Sequence, residues 1–222
     1  MTEIRVQIYF ARYGYTLSER LFKEYLALIP AGICSSILRY NRFEDRQATL
    51  FGKLLLLRAL QNNFPDNWFD KFHSLKVSQY GKPFIEGGPE FNISHSEHIV
   101  ILALAGNQPI GIDIEKIRLI DINDFSKELP EVATLYEHYE ADQANLLFFD
   151  CWTQKEAVLK ANGKGLAAPL KQVILNAESA FFDNTRWIIK KLLIDENYCC
   201  HVAAHKHLEE YSVECVDLMN GF

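Results

Sequence analysis

Two short segments bring together side chains that could hold and transfer a phosphate. The first is Gly111-Ile112-Asp113-Ile114-Glu115, and the second is Trp152-Thr153-Gln154-Lys155-Glu156-Ala157-Val158-Leu159-Lys160. On a strand, Asp113 and Glu115 project from one face while Ile112 and Ile114 enter the core on the other. In a helix, Glu156 and Lys160 lie one turn apart on a single face. Two carboxylates from a strand and one from a helix make an incomplete oxygen cage. That suits Mg²⁺, which keeps several waters and completes its shell with substrate phosphates. A lysine beside the cage would balance charge on the bridging or leaving oxygens of a pyrophosphate. The plainer alternatives are a strand end whose acids meet solvent and an ordinary charged helix face.

Other polar clusters are less specific. In Phe91-Asn92-Ile93-Ser94-His95-Ser96, the Ser94 hydroxyl and the His95 ring could contact a phosphate. Arg39, Arg42 and Arg46 are spaced by three and four, so a helix would display them together as a solvated stripe or an anion site. No G-x-S-x-G surrounds a serine, and neither a Walker A loop nor a G-x-G-x-x-G run is present. Gly163-Lys164-Gly165 is too short for a phosphate loop. His201, His205 and His207 follow Cys199 and Cys200, but on a strand running into a turn they would scatter, which disfavours zinc.

These residues need elements to hold them. Ile4–Phe10 alternates as a strand, Leu17–Leu28 has helical spacing, and Asp45–Asn62 carries Leu50, Leu54, Leu57 and Leu60 on one face. Short strands are expected at Val77–Ser78 and Pro83–Ile85 around Tyr80-Gly81-Lys82. Further strands are expected at Phe91–His95, His98–Ala105 and Ile110–Ile114. Helices over 121–140 and 144–162, ended by Gly163 and Gly165, precede strands near 171–176, 186–194, 197–204 and 210–217. Each half thus has helices first and strands later, with a seam near Ala105–Gln108. The reading is α+β, in two similar halves spanning residues 1–106 and 107–222.

The chain has 222 residues, including 15 Phe, 10 Tyr and 3 Trp, enough for one large or two small packed cores. A formal net charge of −6 argues against a nucleic-acid partner. No apolar run approaches a bilayer span, and the N-terminus lacks a signal-peptide core. Five cysteines without CxxC spacing read as reduced thiols, so a cytoplasmic location is expected.

Taken in order, Tyr80-Gly81-Lys82-Pro83, Phe91 to Ser96, Gly111 to Glu115, and Trp152-Thr153-x-Lys155-Glu156-Ala157-x-x-Lys160-Ala161-x-Gly163-x-Gly165-Leu166 resemble the 4'-phosphopantetheinyl transferase superfamily. The length and two-half layout are similar to its monomeric branch, the type that activates peptide synthetases. The resemblance implies two halves related by a pseudo-twofold axis, a coenzyme A-binding N-terminal half and a catalytic C-terminal half. It further implies transfer of the phosphopantetheine arm of coenzyme A to a serine of an apo acyl- or peptidyl-carrier protein, releasing 3',5'-ADP. Asp113, Glu115 and Glu156 would hold Mg²⁺, with Mn²⁺ as an alternative. Glu156 would also be the base, directly or through a water, and Lys160 would bind and stabilise or protonate the departing phosphate. Lys82, Ser94 and His95 would line the coenzyme A site. Pro30 to Ser36 lacks the lysines that grip the 3'-phosphate in relatives, so Arg39, Arg42 or Arg46 would take over, and Arg46, followed by Gln47, best fits the family's D-R-x pattern. Ile114 cannot supply a further ligand. A carrier surface is expected before Trp152, around Phe148 and Phe149. The rival readings are a metal-dependent hydrolase of a pyrophosphate-containing nucleotide, with water as nucleophile, and a non-catalytic binding module.

Overall fold

Two long helices, each lying on its own sheet, organise the chain. The computed structural model describes residues 5–206 and 208–222, the side chain of Leu166 excepted. The expected strand start at Ile4 and the zinc candidate His207 lie outside them. Strand β1 (Val6–Arg12) leads into α1 (Glu19–Leu26), α2 (Ala31–Leu38), α3 (Phe43–Asn63) and α4 (Trp68–His73). A small hairpin, β2 (Leu75–Val77) and β3 (Pro83–Ile85), precedes β4 (Glu90–Ser96), β5 (Ile99–Ala105) and β6 (Ile110–Lys116). The chain then forms α5 (Leu135–His138) and α6 (Ala141–Asn162). Strands β7 (Ile174–Asn176), β8 (Ser179–Phe182), β9 (Thr185–Lys191), β10 (Tyr198–Ala204) and β11 (Tyr211–Cys215) complete it.

The first sheet has the order β11-β1-β5-β4 and the second β6-β10-β9-β8-β7. Side-chain alternation decides how they stack. From β1 and β5, Tyr9, Ala11, Val100, Leu102 and Leu104 pack in the core with α3, while Val6, Ile8, Phe10, Ile99 and Ile101 face the second sheet. Ile110, Ile112 and Ile114 of β6 meet them, together with Cys200, Val202 and Ala204 of β10. Asp113 and Glu115 are thereby turned to the opposite face of β6, the one covered by α6. The whole is α+β, layered as helix, sheet, sheet, helix. The chain passes from the first sheet to the second between β5 and β6. It returns at the end, where β11 pairs parallel with β1 from Val6 opposite Tyr211 to Phe10 opposite Cys215.

Local chemistry explains where the elements depart from the periodicity. The helix expected over 121–140 is instead two 3-10 turns, Ile122–Phe125 and Pro130–Val132, followed by the short α5. Asp121 Oδ1 accepts the Asn123 N–H at 3.0 Å and offers the backbone a turn, and Pro130 has no N–H to give a helix. The basic spacing of Arg39, Arg42 and Arg46 is also broken. Arg39 caps the end of α2 and Arg42 the start of α3, so the three do not share a helix. Helix α2, rich in small and hydroxyl residues, and helix α4 carry too little periodic signal to be anticipated. Among the described residues no helix is long and apolar enough to cross a membrane, and the five cysteines are free thiols.

Helix α6 is locked to β10 by a buried polar contact. Thr153 Oγ1 donates to the Phe149 carbonyl at 2.7 Å and meets His201 Nδ1 at 2.8 Å, so that nitrogen carries the ring hydrogen. Burial pushes His201 down to about 4, against the pull of Asp150 and with a smaller push from Lys191. Between pH 6.5 and 4 the unfolded chain therefore binds a proton that the native chain refuses. Stability is expected to fall as pH drops through that window, by on the order of 1 to 3 kcal/mol from this group. Urea melts at pH 7 and pH 5 check this, and the pH 5 loss should shrink in His201→Gln.

Candidate active site

The close approach of α6 to β6 begins at Gly111. A Cβ there would lie 2.1 Å from the Ala157 carbonyl oxygen and 2.3 Å from the Ala161 nitrogen, so only glycine lets the helix backbone sit on the strand. That contact carries Glu156 and Lys160 onto the face of β6 that bears Asp113 and Glu115. The Lys160 ammonium donates to Asp113 Oδ1 at 2.5 Å and to Ser94 Oγ at 3.0 Å. Ser94 in turn donates to the same Asp113 oxygen at 2.9 Å, which closes a three-membered network across the two halves. Strand β4 supplies its alternate residues to β6. Asn92 Oδ1 accepts the Ile112 N–H at 2.8 Å, and Ser96 Oγ reaches Glu115 Oε2 at 2.7 Å.

The charges in this cluster perturb one another. Burial, with Asp113 and Glu115 adding to it and Lys160 opposing, pushes Glu156 up to about 7. Glu115 is raised for the same first reason, with Asp113 second. Burial works against the Lys160 charge, but Asp113, Glu156 and Glu115 outweigh it, and its pKa is raised. At neutral pH the cluster therefore holds a firmly charged lysine beside Glu156, a carboxyl that resists full ionisation.

A cavity of about 330 Å³ is bounded by Tyr80, Lys82, Glu90, Pro109, Asn162 and Gly163; Ala161, the residue after Lys160, also lines it, while Asp113, Glu115, Glu156 and Lys160 do not. Gly163, which lines this cavity, ends α6 with φ 89°. Lys82 donates to the Ile110 carbonyl at 3.2 Å and lies 3.6 Å from Glu90; its pKa is lowered by burial, against Glu90. His95 is open to solvent at its edge and sits in the field of Lys160, Asp113 and Asp45. Its pKa is lowered, by lost hydration first and Lys160 second. Arg46 donates from Nε to the Tyr40 carbonyl at 2.7 Å, and no described bond joins it to the acids.

Lys155 and the expected carrier surface lie elsewhere. Lys155 is 2 % exposed and points away from Glu156, paired with Glu131 and donating to the Leu170 carbonyl at 3.3 Å. It holds α6 to the preceding and following turns, so the solvated-face alternative does not apply. Phe148 and Phe149 are 1 % and 4 % exposed and stack inside the second core, so they cannot form a docking surface.

The comparisons with known proteins agree with this geometry. The family model described as the 4'-phosphopantetheinyl transferase superfamily matches residues 109–216, the stretch that supplies Asp113, Glu115, Glu156 and Lys160. The 4'-phosphopantetheinyl transferase Sfp of Bacillus subtilis (strain 168) is 34% identical over 160 residues, which covers 69% of both chains. The chain belongs to the 4'-phosphopantetheinyl transferase superfamily. The 4'-phosphopantetheinyl transferase gsp of Aneurinibacillus migulanus is 35% identical over 61% of this chain and 56% of its own length. The 4'-phosphopantetheinyl transferase ffp of Bacillus subtilis is 38% identical over 60% and 59%. The match thus spans less than two thirds of these two relatives.

The superfamily implies a divalent metal, and the donor set can be tested against one. As placed, no three His, Cys, Asp or Glu side chains among the described residues stand close enough to hold a metal ion. Yet Asp113 Oδ2 and Glu156 Oε1 are buried without a hydrogen-bond partner. Each such atom costs about 1–3 kcal/mol unless something binds it. An all-oxygen donor set with two unmet carboxylate oxygens fits a hard cation that brings its own water and takes substrate oxygens.

Three residues of this site had no assigned role in the sequence. Asn92 and Ser96 bear a visible signal, since Asn92, Ser94 and Ser96 are small polar residues at every second position of the strand. Gly111 carries another: a glycine between isoleucines in a buried strand marks a close backbone approach.

Proposed function

We propose that this chain transfers the 4'-phosphopantetheine arm of coenzyme A to a serine of an apo acyl- or peptidyl-carrier protein. The observation that carries the reading is that Asp113 and Glu115 of β6 face Glu156 and Lys160 of α6, with two unmet carboxylate oxygens between them and Lys160 bonded to Asp113. The family membership and the names of the relatives support the same chemistry. Residues 1–106 would serve mainly to bind coenzyme A, and residues 107–222 would carry the catalytic groups.

Asp113, Glu115 and Glu156 would hold Mg²⁺ or Mn²⁺, which when bound neutralises the pyrophosphate and polarises the phosphorus under attack. Lys82 is placed to leave Glu90 for a phosphate oxygen, with His95, Ser94 and Arg46 as further anion contacts. Glu156 takes the proton of the carrier serine, directly or through one water, as the serine oxygen bonds to the phosphorus that carries the pantetheine. The bond from that phosphorus to the bridging oxygen breaks, and 3',5'-ADP leaves with its new charge held by Lys160. A serine hydroxyl is a poor nucleophile at neutral pH, so a carboxylate within reach of its proton is what the transfer needs. Phosphoryl transfer of this kind needs positioning and charge neutralisation more than covalent chemistry.

A monomer acting in the cytoplasm is the form this reading takes, since residues on both sides of the Ala105–Gln108 seam line the cavity and the cysteines are free thiols. Hydrolysis with water as the nucleophile has no support among the relatives. The test is intact-mass spectrometry of an apo carrier protein incubated with this protein, coenzyme A and Mg²⁺, with EDTA as the control. A metal-dependent gain of one phosphopantetheine is expected. No gain on either acyl or peptidyl carriers would overturn the reading.

A further inference from the structure

Strand β4 presents three polar side chains to β6 at alternate positions, and each meets a different group. Asn92 accepts a backbone N–H, Ser94 donates to Asp113, and Ser96 donates to Glu115. A serine hydroxyl has one proton, so what lies behind it decides where that proton goes. Behind Ser94 stands the Lys160 ammonium at 3.0 Å, a side chain that has other work to do when a phosphate arrives. Behind Ser96 stands the Lys116 backbone N–H at 3.1 Å. That amide belongs to the end of β6, one residue beyond Glu115, and occupies the acceptor side of the hydroxyl. The Ser96 proton is therefore committed to Glu115 Oε2, at 2.7 Å, by a donor fixed in the backbone.

Glu115 needs such a partner. It is the least buried of the three acids, sits at the strand end and is repelled by Asp113. Left alone, its carboxylate would swing toward solvent, away from the like charge. With Oε2 tied down by Ser96, the other oxygen keeps a fixed direction on the face that Asp113 shares.

We propose that Ser96 is a positioning residue that orients the Glu115 carboxylate for the divalent cation. This inference rests on the metal reading given under the proposed function, and it adds a residue to which neither the motif spacing nor the relatives' names assign a role. Outer-shell partners of ligating carboxylates commonly contribute about 10- to 100-fold in metal affinity, which sets the expected effect.

The test is direct binding of Mn²⁺ to the full chain with coenzyme A present, followed by electron paramagnetic resonance, for the unsubstituted protein and three variants. Ser96→Ala removes the hydroxyl and leaves the Lys116 N–H without its partner. Ser96→Cys is nearly isosteric and a weak donor, so it keeps the fold if the alanine variant does not. Ser96→Thr retains the hydroxyl. The expected result is Mn²⁺ affinity lower by about tenfold or more in the alanine and cysteine variants, restored in the threonine variant, with the affinity for coenzyme A measured without metal unchanged in all three. Unchanged Mn²⁺ affinity in the cysteine variant would overturn the role of Ser96 alone. No Mn²⁺ binding by the unsubstituted protein would overturn the metal reading itself, and this role with it.

Discussion

Glu156→Gln is expected to lower phosphopantetheine transfer by about 10²- to 10⁴-fold while the protein stays folded. The two halves of that expectation have separate causes. Transfer falls because the amide cannot take the serine proton, and because one carboxylate is lost from the set proposed to hold the cation. That range of rate loss corresponds to about 3–5 kcal/mol of transition-state stabilisation. The fold survives because the Glu156 carboxylate is not what holds α6 in place. It is 4 % exposed, its Oε1 has no partner, and Asp113 and Glu115 both disfavour its charge. A neutral isostere escapes the burial penalty and that repulsion while giving up the attraction to Lys160, so stability at pH 8 should be unchanged or slightly higher. Lys160 is a poorer target for the same question. Its ammonium is the partner of Asp113 Oδ1 at 2.5 Å, and removing it leaves a buried carboxylate without compensation. Intact-mass rates together with urea melts decide the matter. An active Glu156→Gln protein would mean that another group accepts the serine proton.

The acids were legible because their strand is. Ile112 and Ile114 mark the core face of β6, so Asp113 and Glu115 had to share the other, and the register opposite His201 and Cys199 keeps them there. Helix α6 was equally plain from its apolar spacing and its terminal glycine. What the sequence hid was contact between elements that are not hydrogen-bonded ladder neighbours. Strands β4 and β6 lie in different sheets, yet they meet through side chains, and nothing in local periodicity says that Ser94 will face Asp113 or Ser96 Glu115. Lys155 was misjudged for a related reason. Helical spacing places it next to Glu156, but its burial depends on Glu131 in a turn that periodicity rendered as helix. The arginines failed at a chain break: three- and four-residue spacing is informative only within one helix, and the backbone leaves helix between Leu38 and Phe43. Errors of this kind arise where side-chain chemistry overrides the backbone period.

Gly111→Ala should be the most damaging change that touches no catalytic group. The added methyl carbon would lie 2.1 Å from the Ala157 oxygen and 2.3 Å from the Ala161 nitrogen, both backbone atoms of α6. No rotamer change can relieve such an overlap, so the helix must move outward or the strand must bend. Overpacking of this sort costs about 1–3 kcal/mol and often more when backbone is involved. The consequence for activity is larger, because Glu156 and Lys160 ride on the same turns of the helix as Ala157 and Ala161. A displacement near 1 Å at reacting groups costs about 10²-fold in rate, and at least that loss is expected here, together with a lowered Tm. Gly52→Ala is the matched control, since α3 approaches β4 as α6 approaches β6. There the nearest atom is Ile93 Cγ2 at 2.9 Å, a side-chain methyl rather than backbone, so the overlap is slighter and lies away from the acids. That variant should keep most of its transfer rate. If Gly111→Ala matched it in both Tm and rate, the close seating of α6 on β6 would not be what sets the catalytic geometry.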